Sequence, residues 1–467
     1  MATSLRTPHA TLGRLTSPLS SRSSAGRTVR TVVAAAAVLA GAAGWALSRP
    51  RPATPFDRVV LLGFDGATPA VIEALVAQGR LPALKRLMDE GAYGPMRTFH
   101  PNKSAILWTS VATGKTMVKH GIVDWTYLNE QGIEVPYKDR ARRTRAYWEI
   151  LSERGIPSGT INWWVTYPPR PVAHGYVVSN AFRHRNDPAT VHPTSLFTEI
   201  SPLVLDEAAA EKEMAGLRIP RWREEDATFP LVGVRNLVVS YPLYVAHDLT
   251  VDRVSDRLWQ DRPVKVFSTY FRLPDVTSHL VSNYMDRALA EGAAERERNG
   301  TLDAATVARM DAEFARLLAP VYEWMDSVVG KWLRRVDDRT LLIVCSDHGF
   351  RYVNGGYYHA PKSGDPPDGV LFLRGRGVKN TRLQGATLFD VAPTILYAMG
   401  LPQARDMDGT ALRVAFDGAL LEAHPPAAIA SYEAAGGGRP AAAGGTEVDE
   451  QVMEDLRALG YVQAPAK

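Results

Sequence analysis

Short apolar runs that suit strands buried on both faces recur along this 467-residue chain, separated by stretches of helical periodicity. Three of them lead into acidic residues. Val59–Phe64 ends at Asp65-Gly66, Val264–Tyr270 leads to Leu273-Pro274-Asp275, and Thr340–Cys345 ends at Ser346-Asp347-His348. Thr160–Val165 and Gly369–Leu373 read as further strands. Pro69–Gln78, Leu81–Glu90, Arg145–Gly155, Ala304–Arg334 and Leu388–Met399 carry helical patterns. This alternation predicts an α/β fold: a doubly wound, mostly parallel central sheet with helices on both faces. In such a sheet ligands bind beyond the carboxyl ends of the strands, which is where these acids fall.

A composition of 45% hydrophobic and 22% charged residues is globular, and the length allows one large domain or two ordinary ones. The net charge of +4 invites a polyanion partner, but its distribution argues against one. Residues 1–51 hold seven Arg and no Asp or Glu, so without them the net +4 becomes −3. A mildly acidic body is not a nucleic-acid-binding surface. The single cysteine, Cys345, allows no intramolecular disulfide and sits in an apolar run, as core packing does.

Residues 1–30, rich in Ser, Thr and Arg, are expected to be disordered. Residues 31–48 form an uncharged 18-residue stretch near the lower length limit for a membrane-spanning helix. The stretch reads as a transmembrane anchor or a signal segment, with a buried helix as the third option. Arg22, Arg27 and Arg30 before it favour an inside N-terminus. The expectation is a single-pass protein of the cell membrane, its catalytic body on the periplasmic or extracellular side. Secretion after signal cleavage is the alternative. The catalytic domain is expected over 57–425, with the irregularly patterned 185–260 as an inserted cap. Residues 434–445 read as a Gly- and Ala-rich linker, and 446–467 as a C-terminal helix (Val448–Leu459, closed by Gly460) packing on the domain.

The candidate chemistry collects at the strand ends and in one further stretch, Pro101–Ile122. There Ser104 follows Lys103 and precedes an apolar run with helical spacing. A serine at a helix N-terminus suits a nucleophile, since unpaired N–H groups and the helix dipole favour an anion there. It is also an ordinary N-cap. His279 lies four residues beyond Asp275, a spacing that puts both on one helix face, and His359 lies eleven beyond His348. Singly, each has a plain reading as a cap, a turn or a surface pair. Together, three carboxylates, three imidazoles and a hydroxyl make two sets of oxygen and nitrogen ligands, which suits zinc. His100 and His120, also close to Ser104 in sequence, read as structural.

These pieces resemble the alkaline phosphatase superfamily, in its type I phosphodiesterase/nucleotide pyrophosphatase branch. The similar motifs are GFDG (63–66), Lys103-Ser104 followed by Thr113-Gly114, HGI (120–122), PDVTSH (274–279) and SDHG (346–349). TLFDVAPTILYAMGLP (387–402) and LRALGYV (456–462) add to them, and the likeness runs over roughly 57–462. The resemblance implies hydrolysis of a small-molecule phosphoric ester, a phosphodiester or nucleotide pyrophosphate, through a phosphoseryl intermediate. It implies two Zn²⁺, with Mn²⁺ as the alternative. One would be held by Asp65, Asp347 and His348 and touch Ser104; the other would be held by Asp275, His279 and His359. Lys103 would assist with phosphoryl charge. Trp125 stands where the nucleotide pyrophosphatases have Asn, which removes an expected donor to phosphoryl oxygen. Phosphoryl or lipid-headgroup transfer, a phosphomutase, and a non-catalytic binding protein are the alternative readings. A sulfatase is disfavoured, because Ala-Ile-Leu-Trp follows Ser104 instead of the Pro and Arg such enzymes need.

Overall fold

Among the described residues, nine strands form one sheet: β1 (Arg58–Phe64), β2 (Ala92–Met96), β3 (Ser158–Trp163), β4 (Gly175–Ser179), β5 (Val191–His192), β6 (Val266–Phe271), β7 (Thr340–Cys345), β8 (Gly369–Arg374) and β9 (Thr381–Arg382). Their order is β9-β2-β8-β7-β1-β6-β3-β4-β5. Only β8 and β5 run against the rest. The computed structural model describes residues 53–182, 187–353, 355–359, 364–433, 447–458 and 462. The segment at 31–48, the linker at 434–445 and Gly460 lie outside them.

The helices that frame the sheet and the site include α1 (Pro69–Ala77), α2 (Pro82–Glu90), α3 (Ser104–Thr113), α4 (Tyr147–Glu153), α5 (Arg235–Asp261), α6 (Leu273–Val281), α7 (Ala304–Arg335), α8 (Val391–Ala398) and α9 (Glu447–Ala458). Period-two alternation on β1 divides the core between the two faces. Val60, Leu62 and Phe64 pack in a cluster that includes Leu75, Tyr241, Leu258, Leu273, Phe314 and Trp332, from α1 and α5 to α7. Val59 and Leu61 pack in the opposite cluster, with Trp108, Ile150 and Ile395 from α3, α4 and α8. A sheet buried on both faces explains why its central strands read as continuous apolar runs.

The 185–260 region is more ordered than its sequence pattern suggests. It holds a helix at Glu207–Leu217 and most of the 27-residue α5, which packs against the sheet. Pro242 and the buried polar residues His247, Asp248, Thr250 and Ser255 interrupt the apolar stripe that marks a helix in a sequence. No helix among the described residues is long and apolar enough to cross a membrane.

Register decides where the site forms. Gly63 of β1 pairs with Tyr270 of β6 and with Cys345 of β7, so the three central strands end level. The residues just beyond them, Asp65, the α6 turn and Asp347-His348, therefore emerge at one edge of the sheet.

Candidate active site

Asp65 is fixed before any ligand is considered. Its Oδ2 accepts from Trp108 Nε1 at 3.2 Å and from the Tyr270 hydroxyl. Its Oδ1 is turned the other way, 3.2 Å from His348 Nε2. Two glycines make this approach possible. A Cβ on Gly63 would lie 2.7 Å from the Trp108 ring, and one on Gly66 2.8 Å from Cα and Cβ of Asp275. Gly66 also has φ +66°, which L side chains rarely adopt. The GFDG motif is thus a steric requirement for bringing α3 and α6 onto the end of β1.

The ligand-type side chains fall into two groups, each within 4.8 Å: Asp275, His279 and His359, and Asp65, Asp275 and His348. The two ligand-type residues of α6 lie on one helix face, with His279 Nε2 3.5 Å from Asp275 Oδ1. The same Oδ1 lies 3.7 Å from His348 Nε2, so Asp275 belongs to both groups. In the second group Asp275 stands where the sequence reading puts Asp347. Asp347 is close by, its Oδ2 3.7 Å from His348 Nε2, while its Oδ1 accepts from Gly66 N at 3.4 Å. The His348 and His359 rings stack at 4.4 Å, and His279 stands edge-on to His359 at 5.0 Å.

Burial and mutual repulsion strain this arrangement electrostatically. Burial and the neighbouring Asp65 carboxylate push Asp347 well above the usual carboxylate range. Burial alone would discharge His348, but Asp347, Asp65 and Asp275 outweigh it and carry the imidazole up to about 10. Burial with His348 and His279 alongside holds His359 well below its ordinary value. Asp275 is buried too, yet His279, His348 and His359 hold it below the usual range. Asp65 Oδ1, Asp347 Oδ2 and His348 Nε2 are all buried and make no hydrogen bond to any described residue. Three such atoms, of two carboxylates and an imidazole, converging in a dry site are suited to divalent cations. His348 Nδ1 faces the Gly349 carbonyl at 3.2 Å, so Nδ1 keeps its proton and Nε2 is the nitrogen that would give its proton up to take a cation.

Ser104 is the first residue of α3 and is buried. Its neighbours tie it to the ligand residues from both sides. Asn102 Nδ2 donates to the His359 carbonyl at 2.9 Å, and Trp108, one turn after Ser104 on the same face, holds Asp65. Lys103 is turned to an ion pair with Asp124 at 2.5 Å. Trp125 is buried against Ala105, Ile122, Val165, Met453 and Leu456. Sequence reasoning missed Asn102, Trp108, Tyr270 and Asp124; of these only Trp108, at i+4 from Ser104, carried a signal.

His100 Nε2 meets the Gly364 carbonyl at 3.1 Å on the surface. His120 is buried: Nδ1 accepts from Ile122 N at 3.1 Å, so Nε2 donates to Ser110 Oγ at 3.0 Å. Burial, helped by Arg142, pulls its pKa from 6.5 down to about 3. The unfolded chain therefore takes up a proton that the folded one refuses, and this contribution is lost as pH falls from 6.5 toward 3. Each unit of difference is worth ~1.4 kcal/mol. His120→Gln keeps both hydrogen bonds without the titration, so its melting temperature should fall less steeply than the wild type's between those limits. Parallel slopes in calorimetry would refute this.

The sequence profile described as type I phosphodiesterase/nucleotide pyrophosphatase matches residues 59–363. Among curated proteins none matches. Among solved structures, the chain is similar to human ectonucleotide pyrophosphatase/phosphodiesterase 5, at 12% identity and a TM-score of 0.45 over 77% of this chain and 100% of that one. A phosphonate monoester hydrolase from Silicibacter pomeroyi gives 16% and 0.43 over 76% of each chain. A 2-O GAG sulfatase gives 11% and 0.48 over 77% and 74%. The profile spans most of the sheet and every ligand-type residue above, and the chain belongs to the type I phosphodiesterase/nucleotide pyrophosphatase family of phosphoric ester hydrolases.

Proposed function

We propose that this protein cleaves phosphodiesters in preference to monoesters, through a covalent intermediate on Ser104 beside two divalent cations. The observation that supports this most is the pair of ligand groups sharing Asp275, set against the helix that begins at Ser104. Asp65, His348 and the shared Asp275, with Asp347 beside them, would hold one cation, and Asp275, His279 and His359 the other; zinc fits this donor set best, with manganese as the alternative. Bound there, the cations supply positive charge that favours the ionised hydroxyl and offsets negative charge at phosphorus.

The chain's own residues do the rest. Ser104 Oγ attacks phosphorus, forming an Oγ–P bond as the ester P–O bond to the departing alcohol breaks. The second alcohol of a diester stays on phosphorus throughout: water breaks the Oγ–P bond, gives a proton back to the serine oxygen and releases the phosphomonoester. Two inversions give net retention at phosphorus. The first N–H groups of α3, which have no partner within the helix, face the added negative charge. The buried walls exclude bulk water, so these dipoles act at full strength.

Chelator-sensitive turnover tests the reading. The zinc-loaded protein should hydrolyse bis-p-nitrophenyl phosphate faster than p-nitrophenyl phosphate, lose both activities in chelator, and recover them on added zinc or manganese. Absence of metal-dependent turnover of either ester would end the proposal.

A further inference from the structure

A chain of buried polar groups outside the site grips the turn that delivers α6. Asn162, at the end of β3, has φ +62° and donates from Nδ2 to the Tyr270 carbonyl at 3.0 Å. Its Oδ1 is 3.1 Å from His247 Nε2. His247 Nδ1 lies 3.2 Å from Asp248 Oδ1. Asp248 Oδ2 then accepts from the backbone N–H of Arg272 at 2.8 Å and of Leu273 at 2.7 Å. Asn162, His247 and Asp248 are all buried, Asp248 completely. The chain therefore holds the β6–α6 turn at both ends, through the carbonyl of Tyr270 and through the amides of residues 272 and 273.

We infer that Asp248, oriented by His247 and Asn162, is a positioning residue for the cation site of Asp275, His279 and His359. This rests on the two-cation reading above. A carboxylate at the start of α6 satisfies N–H groups that have no partner within the helix and complements its dipole. Asp275 is only two residues further on, so the angle at which α6 leaves the sheet fixes both Asp275 and His279. Arg272 strengthens the grip, its guanidinium 5.6 Å from the Trp164 ring and 5.4 Å from the Tyr244 ring. Both ring nitrogens of His247 face oxygens, which fixes the ring and, through it, the carboxylate. Outer partners that orient ligands typically govern metal affinity by about 10- to 100-fold.

The fold supplies its own control. Asp326 of α7 caps α2 in the same way, accepting from Ala83 N at 3.1 Å and Leu84 N at 2.7 Å, but α2 carries no ligand-type residue of the site. The experiment titrates the metal-free full-length protein with zinc by calorimetry, for wild type, Asp248→Ala, Asp248→Asn and Asp326→Ala, with melting temperatures measured alongside. Asp248→Ala should raise the Kd of one zinc site about 10-fold or more, Asp248→Asn by less because an acceptor oxygen remains, and Asp326→Ala should lose thermal stability with zinc affinity unchanged. If Asp248→Ala does not fold, Asp248→Asn against Asp326→Asn carries the comparison. Equal zinc affinity in wild type and both Asp248 variants overturns the inference while leaving the two-cation reading intact. A wild type that binds no zinc or manganese overturns both.

Discussion

Alanine at position 104 should lower kcat for bis-p-nitrophenyl phosphate by about 10⁴-fold or more while zinc content stays at the wild-type level. The substitution removes one oxygen from the head of α3 and adds nothing. Alanine is a good helix former, and the apolar cluster of Leu107, Trp108 and Val111 that seats the helix is untouched. Asp65 keeps both its donors, Trp108 and Tyr270, so its Oδ1 still faces His348. What disappears is the atom on which the proposed covalent intermediate would form. Acid-quenched wild type should carry a phosphoryl adduct on the peptide containing Ser104, and the variant should carry none. A variant that keeps more than a tenth of wild-type turnover, with no adduct on the wild-type enzyme, would mean that water attacks phosphorus directly and that Ser104 has no covalent role.

The Lys103–Asp124 ion pair bears on the same step. Lys103 precedes the proposed nucleophile, yet its ammonium group is held by Asp124. Both side chains are about a third to nearly half exposed, so the pair is a weak one, worth roughly 1 kcal/mol or less. In the proposed mechanism a substrate phosphoryl oxygen would therefore compete for the ammonium at little cost.

How far the site could be read from the sequence depended on which physical signal each residue left. Asp65 and Asp347 were legible because β1 and β7 are buried on both faces, so each writes an apolar run with an abrupt polar end. Asp275 was legible as the acid that follows the apolar run of β6, and helical spacing tied His279 to it. β2 was not: Ala92–Met96 contains Gly94 and Pro95, and Gly94 is needed because a Cβ there would lie 2.4 Å from the Leu383 carbonyl. The partner of Lys103 was hidden as well, since Asp124 is 21 residues away and reaches it only once α3 and the following loop have folded. The relay through Asn162, His247 and Asp248 left no pattern, because its members lie 85 residues apart and are joined only by the β3–β6 pairing and the packing of α5 on the sheet. The role of Asp275 in both ligand groups is purely spatial; the motif PDVTSH fixes its spacing to His279 but says nothing of its distance to His348.

That shared position makes Asp275 the residue whose loss should cost most at the metal centre. Its Oδ1 lies between His279 Nε2 at 3.5 Å and His348 Nε2 at 3.7 Å, and it is buried with Asp65 and Asp347 close by. Asp275→Asn keeps the volume and removes the charge, leaving the three imidazoles with one carboxylate fewer to balance two cations. Both sites should weaken together: zinc retained after dialysis should fall from two per chain to one or none, and turnover should drop by more than the ~100-fold typical of outer-sphere partners. His279→Ala belongs to one group only and should release a single zinc, which separates a shared ligand from an ordinary one. Elemental analysis of the two variants beside wild type reads the difference directly. If Asp275→Asn and His279→Ala each lose one zinc and no more, Asp275 serves one cation, and Asp347 takes the place in the second group that the sequence assigned to it.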